Sequence, residues 1–225
     1  MRGYDQLGVN AQLLLDLPTC EFVGVLTLDR AKPHHPLGLT GTPVWTQLGN
    51  DLNYLEYDAA TPDFMDCAGA DTADLDFTSG AFSMAAWVSP DALDVVIMCR
   101  GLDDTDGWQW EISADGESTF RTNQAAASQD TLSTAIVVAD TWAFLVVTRA
   151  GAVVTPFING VARLQTAGTH VNPLTSAREL HVGVDDTEAA LELDGSMWRP
   201  RIWGRALSAA EVATIFHLER GLFGV

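Results

Sequence analysis

Short apolar runs separated by turn clusters recur along almost the whole chain, and this rhythm limits its fold more than any other feature. The runs predict strands over 12–17, 22–28, 53–57, 81–88, 95–100, 108–112 and 118–122. Further strands are predicted over 134–138, 142–149, 153–158, 161–164, 179–184 and 197–203. Between them lie PHHPLG, TPDFMDCAGAD, DDTDG, ADGE, NG and VDDTE, rich in residues that favour tight turns. Many short strands at such spacing indicate a β-sandwich or barrel.

The strands carry their own periodicity. In AFSMAAWV, Phe82, Met84, Ala86 and Val88 fall on one face, as alternate residues of a strand do. TWAFLVVTR is apolar on both faces, which predicts a strand in mid-sheet, covered on both sides. Asn159-Gly160 between two apolar segments is a hairpin signal, because both residues tolerate positive φ. One helix is predicted near the C-terminus. Ser208 and Glu211 form a capping box, Val212, Ile215 and Phe216, extended by Leu218, form an apolar stripe, and Arg220-Gly221 ends the helix. Its expected position is the rim of the sandwich.

A chain of 225 residues with 47% hydrophobic content has enough apolar side chains for one well-buried core. Residues 12–225 are therefore read as one domain, with weakly patterned residues 1–11 as an N-terminal arm. NQAAASQD and TAGTH read as exposed loops. Thirty acidic residues against twelve basic ones give a net charge of −18. Such a surface repels nucleic-acid phosphates and anionic lipid heads, so neither is an expected partner. Cys20, Cys67 and Cys99 have no metal-knuckle spacing and are expected as free, buried thiols. The apolar run Leu13–Leu15 is too short for a signal-peptide core and Asp16 interrupts it, and no segment approaches a membrane span. The expectation is a chain made and folded in a cytoplasm.

LLLDLP, EFVGVLTLDR and LGLTGTPVW resemble the opening strands of the laminin-G-like jelly-roll family, kin to concanavalin A-like lectins and pentraxins. LEYDAATPDFMDCAGADTADLDFTSGAFSMAAWVSP resembles its central signature, DTWAFLVVTRAGAVVTPFINGVA its paired strands, and LDGSMWRPRIWGRALSAAEV its closing strand and helix. The resemblance spans roughly residues 12–218. It implies an all-β fold, an antiparallel β-sandwich of the concanavalin-like jelly-roll type with one short C-terminal helix. Trp198 and Arg199 stand where relatives carry acidic residues, so no role of those carboxylates is carried over. The opening segment is similar to single-domain members found among tailed-phage structural proteins.

Catalytic signatures are weak. Concanavalin-like glycoside hydrolases project carboxylates as E-x-D-x-x-E from one strand. Here Glu192, Asp194 and Met197 occupy those positions, so the acid/base partner is missing. His34-His35 lies between prolines and reads as surface, and His181 reads as a packed strand residue. There is no G-x-S-x-G or phosphate-binding loop. The chain is read as a non-enzyme.

Two kinds of binding site are predicted. In pentraxin-like relatives the loop following a V/I-G strand end supplies calcium ligands. That resemblance implies a calcium site of Asp185, Asp186 and Glu188, with Asp94 from the other contributing loop. The competing reading is that these aspartates cap backbone groups in turns. Exposed tryptophans stack on sugars or anchor interfaces, and Trp108, Trp110 and Trp198 are the predicted candidates, while Trp87 and Trp142 read as core. The function these features and the resemblance imply is a virion structural or adhesion module. It would decorate a phage capsid or tail, contacting capsid or tail proteins and itself through the arm or an edge strand. The alternative is a calcium-dependent carbohydrate-binding lectin whose partners are glycans.

Overall fold

The computed structural model describes residues 8–19, 21, 24–124 and 127–225, so most of the predicted arm and Cys20 lie outside the described residues. Seventeen strands and one helix follow in chain order. The strands of the first half are β1 (Leu13–Asp16), β2 (Leu26–Leu28), β3 (Pro36–Thr40), β4 (Val44–Gln47), β5 (Asn53–Tyr57), β6 (Phe64–Cys67), β7 (Phe82–Pro90), β8 (Val95–Leu102) and β9 (Asp106–Ile112). The second half holds β10 (Ser118–Gln124), β11 (Ala127–Ser133), β12 (Ala143–Ala150), β13 (Val153–Ile158), β14 (Val161–Ala162), β15 (Leu164–Thr166), β16 (Leu180–Val182), β17 (Gly195–Trp203) and α1 (Ala209–Glu219).

They form two antiparallel sheets. The first runs β14-β13-β12-β7-β17-β5-β4, with β1 also paired to β17. The second runs β15-β11-β10-β9-β8-β16-β6-β3-β2. β17 changes neighbours midway. Gly195 to Met197 pair with β5, and after an irregularity between Trp198 and Arg201 the strand pairs with β1 through Arg201 to Trp203. Arg199 turns this corner in the left-handed region at φ 54°.

The sheets face each other across the main core. Phe82, Met84, Ala86 and Val88 of β7 point into it, as their alternation predicts. On β12, Leu145 and Val147 enter this core, while Phe144 and Val146 enter a second one on the outer side of the same sheet. Helix α1 covers that side. Val212, Ile215 and Phe216 pack on Trp87, Phe144 and Trp203, so the helix lies over a sheet face and not at the rim, while Leu218 falls outside the stripe and is 75% exposed. The capping box is present, with Ser208 Oγ accepting from the Glu211 N–H and the Glu211 carboxylate accepting from the Ser208 N–H. The Asn159-Gly160 turn has φ of 51° and 78°, as the hairpin requires.

Several strand expectations shift. β6 forms within a stretch read as a turn, β3 and β4 form around LGLTGTPVW, whose likeness to the family's opening strands marked them where periodicity did not, and 134–138 is not a strand. Its place is taken by β11, in the segment read as an exposed loop. His35 is not a surface residue: it is 3% exposed, with Nδ1 2.8 Å from Asp29 and Nε2 3.0 Å from Asp74. Cys67 and Cys99 are buried free thiols.

Candidate functional site

The four predicted calcium ligands do not meet at one point. Asp185 folds back on its own turn, its Oδ1 accepting from the Thr187 N–H at 3.1 Å and from the Thr187 hydroxyl at 2.8 Å. Asp186 is paired with Arg178 at 2.5 Å. Glu188, at φ 54°, faces His181. Asp94 lies in the left-handed turn between β7 and β8 at φ 72° and shares no group of three ligand atoms within 4.8 Å with the others. Adjacent aspartates in a tight turn diverge, and each finds a different neighbour. Among the described residues, Glu179, His181 and Glu188 are the one group of three such side chains whose ligand atoms all lie within 4.8 Å of one another, and only Glu188 was anticipated.

The predicted tryptophan site is also corrected. Trp108 and Trp110 do share a strand face, but that face is the core face. Their ring N–H groups donate to Leu75 O at 2.9 Å and to Ser118 Oγ at 2.9 Å, which satisfies the one polar atom each ring buries. Trp198 is 7% exposed and packs on Phe223 in the outer core. Partly exposed rings lie elsewhere, among them Tyr54 and Trp142, set edge to face at a centroid distance of 5.4 Å and 86° between planes.

Tyr54 stands near Glu56 and Asp91, two of the residues that line a polar groove of about 410 Å³ together with Thr42, Val44, Asp58, Asp63 and Asp194. Register explains this proximity. In NYLEY, Leu55 is buried and faces the core, so Tyr54 and Glu56 point outward. Glu56 lies opposite Val44 on β4 and Ser196 on β17, and Ser196 lies opposite Ser89 on β7. The Tyr54 phenol lies near Ser196. Its pKa is raised by burial and by the charges of Glu56 and Asp91. The Asp91 carboxyl is likewise raised, by burial first and then by Asp194, Asp140 and Glu56. The groove thus gathers carboxylates and hydroxyls, with Tyr54 near its Glu56 and Asp91 and Trp142 behind Tyr54.

Loop packing fixes its wall. Buried Asp63 accepts from the Thr42 N–H at 2.6 Å and the Asp58 N–H at 3.1 Å, tying together the β3–β4 and β5–β6 connections. Gly41 permits that approach: it has φ 79°, and a Cβ there would strike the Asp63 carboxylate. The hydrolase-like triplet is also placed. Met197 is fully buried in the main core, so its position presents nothing to a substrate.

An antiparallel jelly-roll sandwich with a groove built from connecting loops and one sheet's outer face defines the class of β-sandwich binding domains. The chain belongs to the concanavalin A-like lectin/glucanases superfamily, whose Laminin_G_3 model matches residues 66–213. Curated protein sequences give no match. Among solved structures, domain 4 of AbnA, a GH43 extracellular arabinanase from Geobacillus stearothermophilus, in complex with arabinotriose, superposes with a TM-score of 0.69 at 16% identity. The match covers 91% of this chain and 98% of that one. The receptor binding domain of botulinum neurotoxin D matches with a TM-score of 0.70 at 11% identity, over 94% of this chain and 54% of that one. A botulinum neurotoxin type C structure, reported for interaction with two ganglioside molecules, gives 0.68 at 13%, over 93% and 52%. The chain thus spans about half the length of the neurotoxin chains it resembles. At these identities the likeness is one of fold.

Proposed function

We propose that this chain is a non-catalytic carbohydrate-binding domain that holds a saccharide in the Glu56–Asp91–Asp194 groove. The observation that carries the reading is a groove of carboxylates and hydroxyls with the Tyr54 ring, backed by Trp142, near its Glu56 and Asp91. Sugars present an apolar CH face and a set of hydroxyls. A ring edge or face covers the first, and carboxylates and serine hydroxyls accept from the second. The superfamily, and a structural neighbour seen with arabinotriose, support the same reading. A groove with five carboxylates in a chain of charge −18 disfavours acidic sugars and suits neutral or amino sugars.

Calorimetric titration with neutral oligosaccharides, arabino-oligosaccharides first, tests this. Binding should weaken about 5- to 20-fold in Trp142→Ala and in Asp91→Asn, the range expected for losing one ring or one charge-assisted hydrogen bond. The oligosaccharide should be recovered uncleaved. Absence of binding across a neutral glycan panel, or release of shorter products, overturns the proposal.

The virion setting implied by the opening segment concerns where such a domain is displayed. Its test is separate: the chain should be found in purified particles, attached to capsid or tail protein, and its absence there sinks that setting while leaving the sugar reading intact.

A further inference from the structure

On the outer face of the second sheet His181 presents a buried imidazole with no hydrogen bond. Its side chain is 3% exposed, and neither Nδ1 nor Nε2 has a hydrogen-bond partner. A buried polar atom left without a partner costs stability, so such a group asks for an explanation. The neighbours across the sheet do not supply one. His181 lies opposite Asp66 on β6 and Cys99 on β8. Asp66 accepts from the Thr40 hydroxyl at 2.9 Å, and the Cys99 thiol is directed at Val184 O at 3.4 Å. Phe64 meets the imidazole edge to face at 5.6 Å. Nε2 points instead between two half-exposed carboxylates, 3.4 Å from Glu188 Oε1 and 3.9 Å from Glu179 Oε2.

We propose that Glu179, His181 and Glu188 bind a divalent transition-metal ion of the zinc class. The donor set is one imidazole nitrogen and two carboxylates, which suits zinc and its neighbours and not calcium, whose ligands are oxygens. Spacing agrees. With metal–ligand bonds of about 2.0–2.1 Å, neighbouring donors of a tetrahedral zinc are about 3.3 Å apart. The two nitrogen–oxygen separations sit at and just above that edge, and the three donor atoms fall within 4.8 Å of one another. Both glutamates reach solvent, leaving the fourth position to water. The ion would cross-link β16 to the β16–β17 connection, because Glu188 belongs to the latter.

Calorimetry on the full, tag-free chain tests the site with zinc chloride and with calcium chloride. One zinc should bind per chain, and at a hundredfold excess over Kd the melting temperature should rise by about 5–10 °C. Calcium at millimolar concentration should not shift it. Kd should rise at least about tenfold in His181→Gln and in the surface double variant Glu179→Gln/Glu188→Gln, which removes ligands without disturbing the buried position. Replacing the exposed His34 and His217 by alanine should leave Kd unchanged. No zinc binding by the folded chain, an unchanged Kd in the double glutamine variant, loss of binding in the His34/His217 variant, or an equal response to calcium overturns the assignment.

Discussion

His170 bridges two strands through its ring, with Nδ1 2.9 Å from the Thr122 hydroxyl and Nε2 2.7 Å from that of Thr131. Burial and the nearby Arg149 charge hold its pKa down at about 4. The unfolded chain takes up this proton near pH 6.5, so its contribution to stability is whole above that pH and is lost as pH falls toward 4. The full loss is about 3 kcal/mol. His35 works in the opposite sense. Burial pulls its pKa down, but the hydrogen bonds and charges of Asp29 and Asp74 outweigh it and raise the group above its ordinary value. Its contribution is whole below pH 6.5 and fades as pH rises through the raised value. Urea unfolding between pH 4.5 and 6.5 should therefore show a shallower acid loss in His170→Gln than in the wild type. Equal slopes would show that His170 is not held neutral. Neither histidine's partners could be read locally: His170 meets Thr122 and Thr131 from 48 and 39 residues away. The tryptophans carry the same lesson. That Trp108 and Trp110 share a face was legible in the alternation, but which face was core depended on Phe120 arriving from β10 and Phe77 from the connection before β7.

At the scale of elements, Glu219 fastens α1 to the sheet beneath it. Its carboxylate accepts from Arg201 at 2.8 Å twice, from Arg199 at 3.1 Å and from the Trp87 ring N–H at 3.0 Å. Arg199 also reaches Asp16 on β1, so the irregular corner of β17 is tied on both sides. Removing one partner leaves buried charge uncompensated. Glu219→Ala should cost about 3–5 kcal/mol, whereas Ser208→Ala, which loses only the helix cap, should cost about 1 kcal/mol. Chemical denaturation of both variants checks the ranking, and equal costs would remove Glu219 as the anchor. The helix was fully legible because its cap and stripe are local signals. β7, β12 and β13 were legible for the same reason: long apolar or alternating runs carry their own period. β6 and β11 were not, and β4 was marked only by the family resemblance of LGLTGTPVW, not by its own period. VWTQ and FMDC are short, and ASQDTLS is polar because its hydroxyls serve interior partners such as His170, so hydropathy reported a loop where pairing with β10 makes a strand.

Over the whole molecule, a charge of −18 is distributed on a single β-sandwich, and its self-repulsion opposes the compact state. Raising sodium chloride from 10 to 500 mM should screen it, since the Debye length falls from about 30 Å to below 10 Å, and the melting temperature should climb. A flat response would place the acidic groups in locally compensated pairs. The outermost strands have a further consequence. Among the described residues, the sheets end on β14 with two residues, on β15 and β2 with three each and on β4 with four. Rungs this brief offer a neighbouring molecule too few open amides to add itself as the next strand. A protein built almost wholly of pleated ribbon should for that reason stay dispersed when concentrated, with its growth points sealed by being cut short.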